Sequence, residues 1–453
     1  MNERILYNLE KVAKKYPFLI GKKQNLLKGR FFKKNLDFLI LYKIKKMVKY
    51  VYKNSSFYNN LLKEHNIKPE EIKSLDDFEK IPLTNPIDIL KEEDFCCVKK
   101  ERIKKEMRSS GTTGKTKKIL LTKSDLNNQI NRNVLGFRII FGLTKDDRIR
   151  VLHDPGHCFT HILEKASEKI GAKSYFTNNR NSPGKEFQFL KDNKITVIIA
   201  PPNYFNLLSN EMKKNHDLSK LGIKHIFLNA ELLNESIRKK LEKIWNIDIY
   251  QGYGLKEIGI SVATECKQKN GMHVTENDFY VEVIDPETGK NLEDGKKGEI
   301  VFTSLTSLAM PLLRYRTHDI GYIIPKECPC GLPFKRIKIL CRSDDMITLG
   351  MGDNIYPKTF SDVIFSFNEV LDYQIIVEKK YKKDYLTVLI VKEKDSDEDS
   401  LKKNLLDALN EIAEIKSGVF DSRTIHPLKI KFIGQEKIKK RGEKTQRIID
   451  IRK

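Results

Sequence analysis

The chain lacks an apolar run long enough to cross a membrane. A spanning helix needs about 18 or more consecutive apolar residues, and no run in the 453 residues reaches that length. The opening residues, Met1-Asn2-Glu3-Arg4, also lack the apolar core of a secretory signal. We therefore expect a cytoplasmic protein without a membrane span.

Cysteine is scarce, and its count of seven is odd. An odd number of cysteines without a secretion signal argues for reduced thiols rather than a disulfide framework. At 453 residues with a hydrophobic fraction of 40%, the chain is long enough to bury a large core. We expect two or more domains.

Acidic residues are outnumbered, 61 against 84 lysines and arginines, which gives a formal net charge of +23. Such a charge invites a nucleic-acid or anionic-membrane interpretation. The sequence contains no zinc-finger, helix-turn-helix or ribonucleoprotein motif, and its lysines are spread along the whole chain. This spread is typical of a solvated surface that faces anionic ligands. Nucleic acid is therefore an unlikely partner and is kept only as the lesser alternative.

Hydroxyls and glycines are concentrated at positions 109–116, which read Ser-Ser-Gly-Thr-Thr-Gly-Lys-Thr. Glycines let backbone N–H groups approach an oxyanion, hydroxyls donate further bonds and lysine adds charge. Only two residues separate the glycines, so this is not a Walker A loop. Segments 104–108 and 118–122 have strand patterns, which predicts a loop that joins a hairpin. The phosphate-binding candidates are Ser109, Ser110, Gly111, Thr112, Thr113, Gly114 and Lys115.

A flexible polar turn remains the alternative for this loop, because glycine and threonine are ordinary turn residues.

From position 148 onward, short apolar runs alternate with amphipathic helical patterns. The predicted strands are 149–152, 196–200, 225–228 and 247–250, and the predicted helices are 160–170, 204–213 and 234–245. This rhythm indicates βαβ units and a parallel sheet, whose ligands bind at the carboxyl ends of the strands. Acids follow two of these ends, in Asn229-Ala230-Glu231 and in Tyr253-Gly254-Leu255-Lys256-Glu257.

The pattern changes after position 271. Short predicted strands at 279–284 and 298–303 flank a turn and indicate a β-subdomain. Positions 358–453 combine two apolar strands, 373–378 and 385–391, with a helix near 401–415. We expect this last part to be a small, strongly charged α+β domain.

Together these stretches resemble the adenylate-forming (ANL) superfamily, which carries a hairpin phosphate loop of this composition. The segment ahead of the loop resembles the phenylacetate–coenzyme A ligase branch in particular, through Ser56-Phe57-Tyr58, the stretch 67–78 and Ile81-Pro82-Leu83-Thr84. The resemblance extends from about position 56 to position 450, and its motifs occur in the family's order. That order is more specific than any single motif.

The resemblance assigns roles to the residues that follow the two strands. Asn229-Ala230-Glu231 is similar to the family's Gly-Ala-Glu segment beside the adenine, with Asn229 in place of the usual glycine. Tyr253 would stack on the adenine, and Glu257 would help to hold magnesium, which prefers carboxylate and phosphate oxygens. Lys256 replaces a hydroxyl residue that contacts the nucleotide phosphate, and it either supplies a cation there or points outward. By itself, Glu257 also suits a solvated acid at a helix start.

Later motifs resemble the sugar site and the hinge of the family. Asp319 lies in Tyr315-Arg316-Thr317-His318-Asp319 and would accept both ribose hydroxyls, while Arg342 would approach the ribose. Asp344 falls on the hinge about which the C-terminal domain rotates between two half-reactions, and a glycine-rich turn follows at 350–357. Taken alone, Asp319 in a basic strand also suits a surface ion pair.

Lys444 falls on the lysine that stabilises the adenylation transition state in the resembling family. The assignment rests on the spacing of Lys444 from Arg447 and Asp450, which matches the family's terminal motif, although Glu443 replaces the preceding glycine. A solvated lysine is the alternative in so basic a tail.

The fold expected from the resemblance is α/β and multi-domain. A large domain, 1–343, would have mainly parallel sheets flanked by helices plus a β-subdomain, and a small mobile α+β domain, 344–453, would follow the hinge.

The implied function is ATP- and Mg²⁺-dependent activation of a carboxylic acid to an acyl-adenylate, followed by transfer to coenzyme A. The branch suggests an aryl or arylacetic acid, with Phe159 as a wall of the acid pocket. His153 and His157 stand in a segment that is richer in glycine and tyrosine in the family, so we expect a ring acid with a polar substituent. Alternatives are transfer to a carrier-protein thiol or an amine, or a nucleic-acid-binding protein on a degenerate ligase scaffold. A homodimer is left open.

Four soft or borderline metal ligands occur in two clusters, Cys266 with His273 and Cys328 with Cys330. A Cys₃His set is a known tetrahedral zinc combination. The single residue between the last two cysteines is tighter than usual, and Gly331 would ease that turn. Some phenylacetate–coenzyme A ligase-like proteins carry a similar arrangement. The interpretations that stay open are a structural zinc and buried free thiols.

Overall fold

Helices and strands alternate through the part of the chain that the computed structural model describes, namely residues 30–109, 117–153, 158–176, 181–350, 353–394, 396–441 and 444–452. The described helices are α1 (Arg30–Asn54), α2 (Ser56–Glu64), α3 (Leu75–Glu79), α4 (Glu92–Phe95), α5 (Lys123–Ile139), α6 (Cys158–Ile170), α7 (Pro183–Asp192), α8 (Pro202–Lys213), α9 (Glu235–Trp245), α10 (Pro357–Ile364), α11 (Glu398–Asn410) and α12 (Ala413–Lys416).

The strands are short in the first half of the chain and longest near its end. They are β1 (Ile103–Ser109), β2 (Lys117–Thr122), β3 (Arg148–Val151), β4 (Lys173–Phe176), β5 (Val197–Ala200), β6 (His225–Leu228), β7 (Ile249–Leu255), β8 (Gly259–Glu265), β9 (Met272–Val274), β10 (Phe279–Ile284), β11 (Gly298–Ser304), β12 (Tyr315–Ile324), β13 (Arg336–Arg342), β14 (Ile347–Leu349), β15 (Asp353–Ile355), β16 (Val370–Lys380), β17 (Lys383–Lys392), β18 (Lys429–Phe432), β19 (Lys440–Arg441), β20 (Lys444–Thr445) and β21 (Ile448–Asp450).

Contacts divide the chain into two units, each with its own buried residues. The first unit comprises the described residues of segment 1–180, Asn193–Ile199 and Tyr250–Ile339. The second comprises Asn181–Asp192, Ala200–Ile249 and Leu340–Lys453. The boundary between positions 343 and 344 that we expect from the hinge motif stays a prediction.

The first unit contains both parallel and antiparallel pairings. β3 pairs in parallel with β4 and with β5, whereas β10-β11-β12-β13-β9-β8-β7 follow one another as neighbours in a sheet. The antiparallel part is the expected β-subdomain, and β10 and β11 are buried at every position. The α/β class predicted from the sequence is confirmed.

The helical segment before the phosphate loop follows its sequence signals. Ser55 caps α2 by accepting a hydrogen bond from the Tyr58 N–H. Ser74 and Asp77 form a capping box at the start of α3, as the pattern of a hydroxyl followed three residues later by an acid predicts. Tyr58 is fully buried, and its hydroxyl lies 3.0 Å from that of Thr84.

The two strands of the predicted phosphate hairpin are present. β1 and β2 pair antiparallel, with Ser109 opposite Lys117 and Arg108 opposite Lys118. The loop residues from Ser110 to Thr116 lie outside the described residues.

β7 extends five residues beyond the strand predicted at 247–250 and includes Tyr253 and Gly254. The physical reason is the close approach of β8. A Cβ atom on Gly254 would come within 2.9 Å of the Gly259 carbonyl oxygen, so the glycine allows strand pairing to continue beyond position 250.

The second unit has a helical part and a sheet. α8 and α9 pack together around Trp245, whose ring stacks on Phe205 and whose Nε1 donates to the Ser209 hydroxyl over 2.9 Å. The strands β18-β17-β16-β21 form a four-stranded sheet in that order. The helix predicted at 401–415 is two helices, α11 and α12, because the chain turns after Asn410.

Within the described residues, no helix is both long and apolar enough to cross a membrane.

Candidate active site

The turn Lys256–Glu257 contacts both strands that flank the phosphate loop. Lys256 Nζ donates to the Arg108 carbonyl oxygen over 3.4 Å, one residue before Ser109 at the end of β1. Lys117, the first residue of β2, lies 3.3 Å from Glu257 through its Nζ and the Glu257 Oε1. Both strands that flank the loop therefore contact the turn that carries the predicted magnesium ligand.

Lys117 is a site residue that the sequence reasoning missed, because it gave the cationic role to Lys115. Its side chain is only 6% exposed, and its Nζ also lies 3.5 Å from the Tyr315 hydroxyl. The available signal was the two-residue period of β2, which places Lys117 on the same face as the buried Ile119 and Leu121.

Tyr253 and Asp319, predicted to contact the adenine and the ribose, are brought together. The Tyr253 hydroxyl donates to Asp319 Oδ2 over 2.5 Å. The Asp319 N–H donates to the Thr317 hydroxyl over 3.0 Å, which fixes the backbone beneath the carboxylate. The Tyr253 ring stacks on Phe302 with a centroid distance of 6.1 Å. The tyrosine is thus held by its hydroxyl at one end and by its ring at the other.

The turn Asn229–Glu231 belongs to the second unit. The Asn229 N–H donates to the Ala200 carbonyl oxygen over 3.1 Å, so the turn begins beside the end of β5. Ala230 adopts a left-handed backbone, with φ of 69°. Glu231 Oε2 accepts a hydrogen bond of 2.7 Å from Asn203 Nδ2 and one of 3.4 Å from the Asn203 N–H.

The remaining nucleotide candidates lie near element ends. Arg342 is the last residue of β13, and Asp344 lies in the short 3₁₀ turn Ser343–Asp345. Lys444 is in β20, which pairs with β19. The side chains of Asp344 and Lys444 lie outside the described part of the chain, as does that of Ser109.

Phe159, the predicted wall of the acid pocket, is half-buried near the start of α6. Its ring makes an edge contact with His153, at a centroid distance of 4.9 Å. His153 is buried at the end of β3, so a histidine and an aromatic ring do meet here. His157 lies outside the described residues.

The four predicted metal ligands converge in the first unit. One ligand atom from each of Cys266, His273, Cys328 and Cys330 lies within 4.8 Å of all the others. The Cys266 and Cys328 sulfurs are 3.6 Å apart, and Cys330 Sγ lies 3.3 Å from His273 Nε2. Among the residues described, no other group of three or more histidine, cysteine or acidic side chains is placed to hold a metal.

The surroundings orient these ligands. His273 Nδ1 lies 3.1 Å from the Phe334 carbonyl oxygen, which leaves Nε2 facing the sulfurs. The Gln268 and Leu332 N–H groups each donate over 3.5 Å to the sulfur two residues earlier, Cys266 and Cys330. Burial lowers the pKa of His273 to about 4 and raises the pKa of the Cys266 thiol to about 12. The donor set and its supporting hydrogen bonds fit a tetrahedral zinc.

The strand-end acids, the phosphate hairpin and the C-terminal sheet define this chain as an AMP-binding enzyme. The family model described as AMP-binding enzyme matches residues 48–309, and the model of its C-terminal domain matches residues 352–452. The chain belongs to the adenylate-forming superfamily, in the branch of the phenylacetate–coenzyme A ligases.

Relatives at moderate identity carry that assignment. The chain is 33% identical to the phenylacetate-coenzyme A ligase of Thermus thermophilus over 349 residues, 75% of this chain and 77% of the relative. It is 30% identical to the Escherichia coli enzyme of the same name over 357 residues, 77% of this chain and 80% of the relative. A solved 2-hydroxyisobutyryl-CoA ligase with a bound adenylate has the same fold, with a TM-score of 0.80, 20% identity and coverage of 92% and 90%.

Proposed function

We propose that this protein is an AMP-forming acid–thiol ligase that converts an aryl or arylacetic acid to its coenzyme A thioester. The observation that carries the proposal is the set of contacts that joins the phosphate hairpin to the acidic turn, Lys117 with Glu257 and Lys256 with Arg108. These contacts place a cation and a carboxylate at the loop's ends, where a triphosphate and its metal would bind.

The first half-reaction forms the acyl-adenylate. A carboxylate oxygen of the acid attacks the α-phosphorus of ATP, and the bond from that phosphorus to the pyrophosphate oxygen breaks. The loop hydroxyls and N–H groups, with Lys444, would meet the charge that develops on the phosphate oxygens. Asp319 would hold the ribose hydroxyls, and Tyr253 would lie against the adenine.

The second half-reaction would use the thiol of coenzyme A. The thiol loses its proton to water, its sulfur attacks the acyl carbon, the bond from that carbon to the phosphate oxygen breaks, and AMP leaves. No covalent enzyme intermediate is needed in either step.

Magnesium would be held by Glu257 and by phosphate oxygens, and when bound it supplies positive charge to the leaving pyrophosphate. One carboxylate fits this ion, because magnesium commonly takes one or two protein carboxylates together with substrate phosphates. Glu257 also contacts Lys117, whose Nζ lies 3.3 Å from its Oε1.

Zinc would be held by the Cys₃His cluster as a structural ion. Four protein ligands leave no open position for a substrate, so its role would be to join the loops that carry Cys266 and Cys328.

For the acid, the contact of His153 with Phe159 supports a ring that bears a polar group. A ring edge would pack on Phe159, and an imidazole of His153 or His157 would hydrogen-bond the substituent.

Pyrophosphate release tests the function. We expect release when the purified protein is mixed with ATP, Mg²⁺ and hydroxy- or amino-substituted phenylacetic and benzoic acids, and a thioester when coenzyme A is added. Release without a thioester would point to a carrier-protein thiol or an amine as the acceptor. No release with any acid, together with DNA or RNA binding, would support the degenerate-scaffold alternative.

Replacing Asp319 by asparagine should raise the KM for ATP about 10- to 100-fold, because a hydrogen bond to a charged group is worth about 1.5–3 kcal/mol. Tyr253→Phe keeps the ring and removes the hydroxyl that donates to Asp319, so we expect a smaller rise, below about tenfold. Steady-state kinetics with ATP varied measures both. An unchanged KM in Asp319→Asn would contradict the ribose assignment.

A further inference from the structure

Arg447, the residue before β21, links β16 to the start of α8, all within the second unit. Its Nη1 donates to Asp372 and, over 2.7 Å, to the Tyr373 carbonyl oxygen. Its Nη2 donates over 2.7 Å to Asn203 Oδ1 on α8. The guanidinium lies 4.7 Å from the centroid of the Tyr373 ring and is largely buried. Such a group is fixed in direction, because each of its bonds points to a different partner.

Asn203 continues this link to the predicted adenine turn. Its Oδ1 accepts from Arg447, and its Nδ2 donates over 2.7 Å to Glu231. The amide oxygen thus accepts from a cation and the amide nitrogen donates to an anion. Together these two bonds fix the orientation of the Asn203 side chain. We call the row Asp372, Arg447, Asn203 and Glu231 the amide bridge.

Strand β16 also holds the base of the β19–β20 hairpin, which contains Lys444. Gln374 is 1% exposed, and its Nε2 donates to the carbonyl oxygens of Gln446 and Lys439 over 2.6 and 3.0 Å. The Ile375 N–H donates to the Arg447 carbonyl oxygen over 2.8 Å. Lys444 precedes Arg447 by three residues, so the hairpin's direction is set where Arg447 is fixed.

We propose that Asn203 is a positioning residue for the first half-reaction, which it serves by fixing Arg447 and hence the hairpin of Lys444. The proposal rests on the proposed function and on the assignment of Lys444. Without the amide, Arg447 and Glu231 would each lose a hydrogen bond, and the hairpin would sample more orientations. Misplacing a catalytic group by about 1 Å costs about 100-fold in rate.

Further polar contacts join α8 and α9 to the C-terminal part of the second unit. Asn234 Nδ2 donates to Asp362 over 2.7 Å, and Lys240 Nζ donates to the Asn368 carbonyl oxygen over 2.6 Å. Lys213 and Glu393 form an exposed pair at 3.2 Å. The Lys213–Glu393 pair shares no residue with the amide bridge.

The test measures the two half-reactions separately in Asn203→Ala. We expect ATP–pyrophosphate exchange with the best acid to fall about 10- to 100-fold, in line with the about 1.5–3 kcal/mol of a charge-assisted hydrogen bond. Thioester formation from chemically supplied acyl-adenylate and coenzyme A should stay within about twofold of wild type. Lys213→Ala, which removes the exposed pair at the same interface, is the matched control and should leave both rates unchanged.

A double-mutant cycle separates positioning from general damage. If Asn203 acts through Arg447, Asn203→Ala should add little to the exchange defect of Arg447→Met. Additive defects, an equal loss in both half-reactions or an unchanged exchange rate would each overturn the proposal. Wild-type protein that releases no pyrophosphate with any acid would overturn the proposed function and, with it, the role of Asn203.

Discussion

Glu257→Gln should lower the rate of acyl-adenylate formation about 10²- to 10³-fold. The variant keeps the size of the side chain and removes the negative charge that we assign to magnesium, so charge stabilisation of the leaving pyrophosphate weakens. ATP–pyrophosphate exchange at saturating ATP and acid measures the loss. Raising the Mg²⁺ concentration should recover part of the rate, which an effect on the acid pocket would not do.

A second substitution separates the effect of Glu257→Gln on catalysis from its effect on protein stability. Lys117 is buried against Glu257, and leaving a buried charge without its partner costs about 3–5 kcal/mol. The glutamine of Glu257→Gln still offers an acceptor, so we expect a smaller fall in the free energy of unfolding. Combining it with Lys117→Met removes the stranded charge and should restore stability without restoring exchange. Restored exchange in the double variant would contradict the metal-binding role.

Cys328→Ser should remove the bound zinc and lower the melting temperature of the protein. Structural zinc contributes about 10–16 kcal/mol in zinc-finger peptides, and a loss of even about 4 kcal/mol would lower the melting temperature by about 10 °C in a unit of a few hundred residues. Metal analysis of the purified protein and thermal melting with and without a strong chelator measure both effects. We expect about one zinc per chain before chelation.

The control for this experiment is Cys97→Ser. Cys97 is also buried in the first unit and lies outside the Cys₃His cluster, so its loss should leave the zinc content unchanged. Wild-type protein purified without exposure to chelators that contains no metal, and whose melting temperature a chelator does not change, would favour buried free thiols.

Much of the fold followed from local sequence signals. The predicted strands 225–228 and 279–284 match β6 and β10, because short apolar runs between turn signals have few other stable conformations. The failures came where a neighbour decided the outcome. Gly254 reads as a turn residue by itself, but the backbone of β8 makes it part of a strand.

The candidate site was recovered unevenly for the same reason. Tyr253, Glu257 and Asp319 could be proposed because motif order marks them, and the four candidate metal ligands because their side-chain chemistry does. Lys117 and Asn203 were missed because a lysine at a strand start and an asparagine at a helix start are ordinary surface residues. The roles that we propose for them rest on partners 140 and 28 positions away in the sequence.

The sequence by itself determined the class, the order of the motifs and the residue types that could handle a nucleotide, since these depend on local composition and spacing. Only the tertiary structure decided which side chains meet: Lys117 with Glu257, Tyr253 with Asp319, and Cys266 with Cys328. The physical reason is that a buried ion pair or hydrogen bond forms where packing excludes water, and packing joins residues that no local pattern relates.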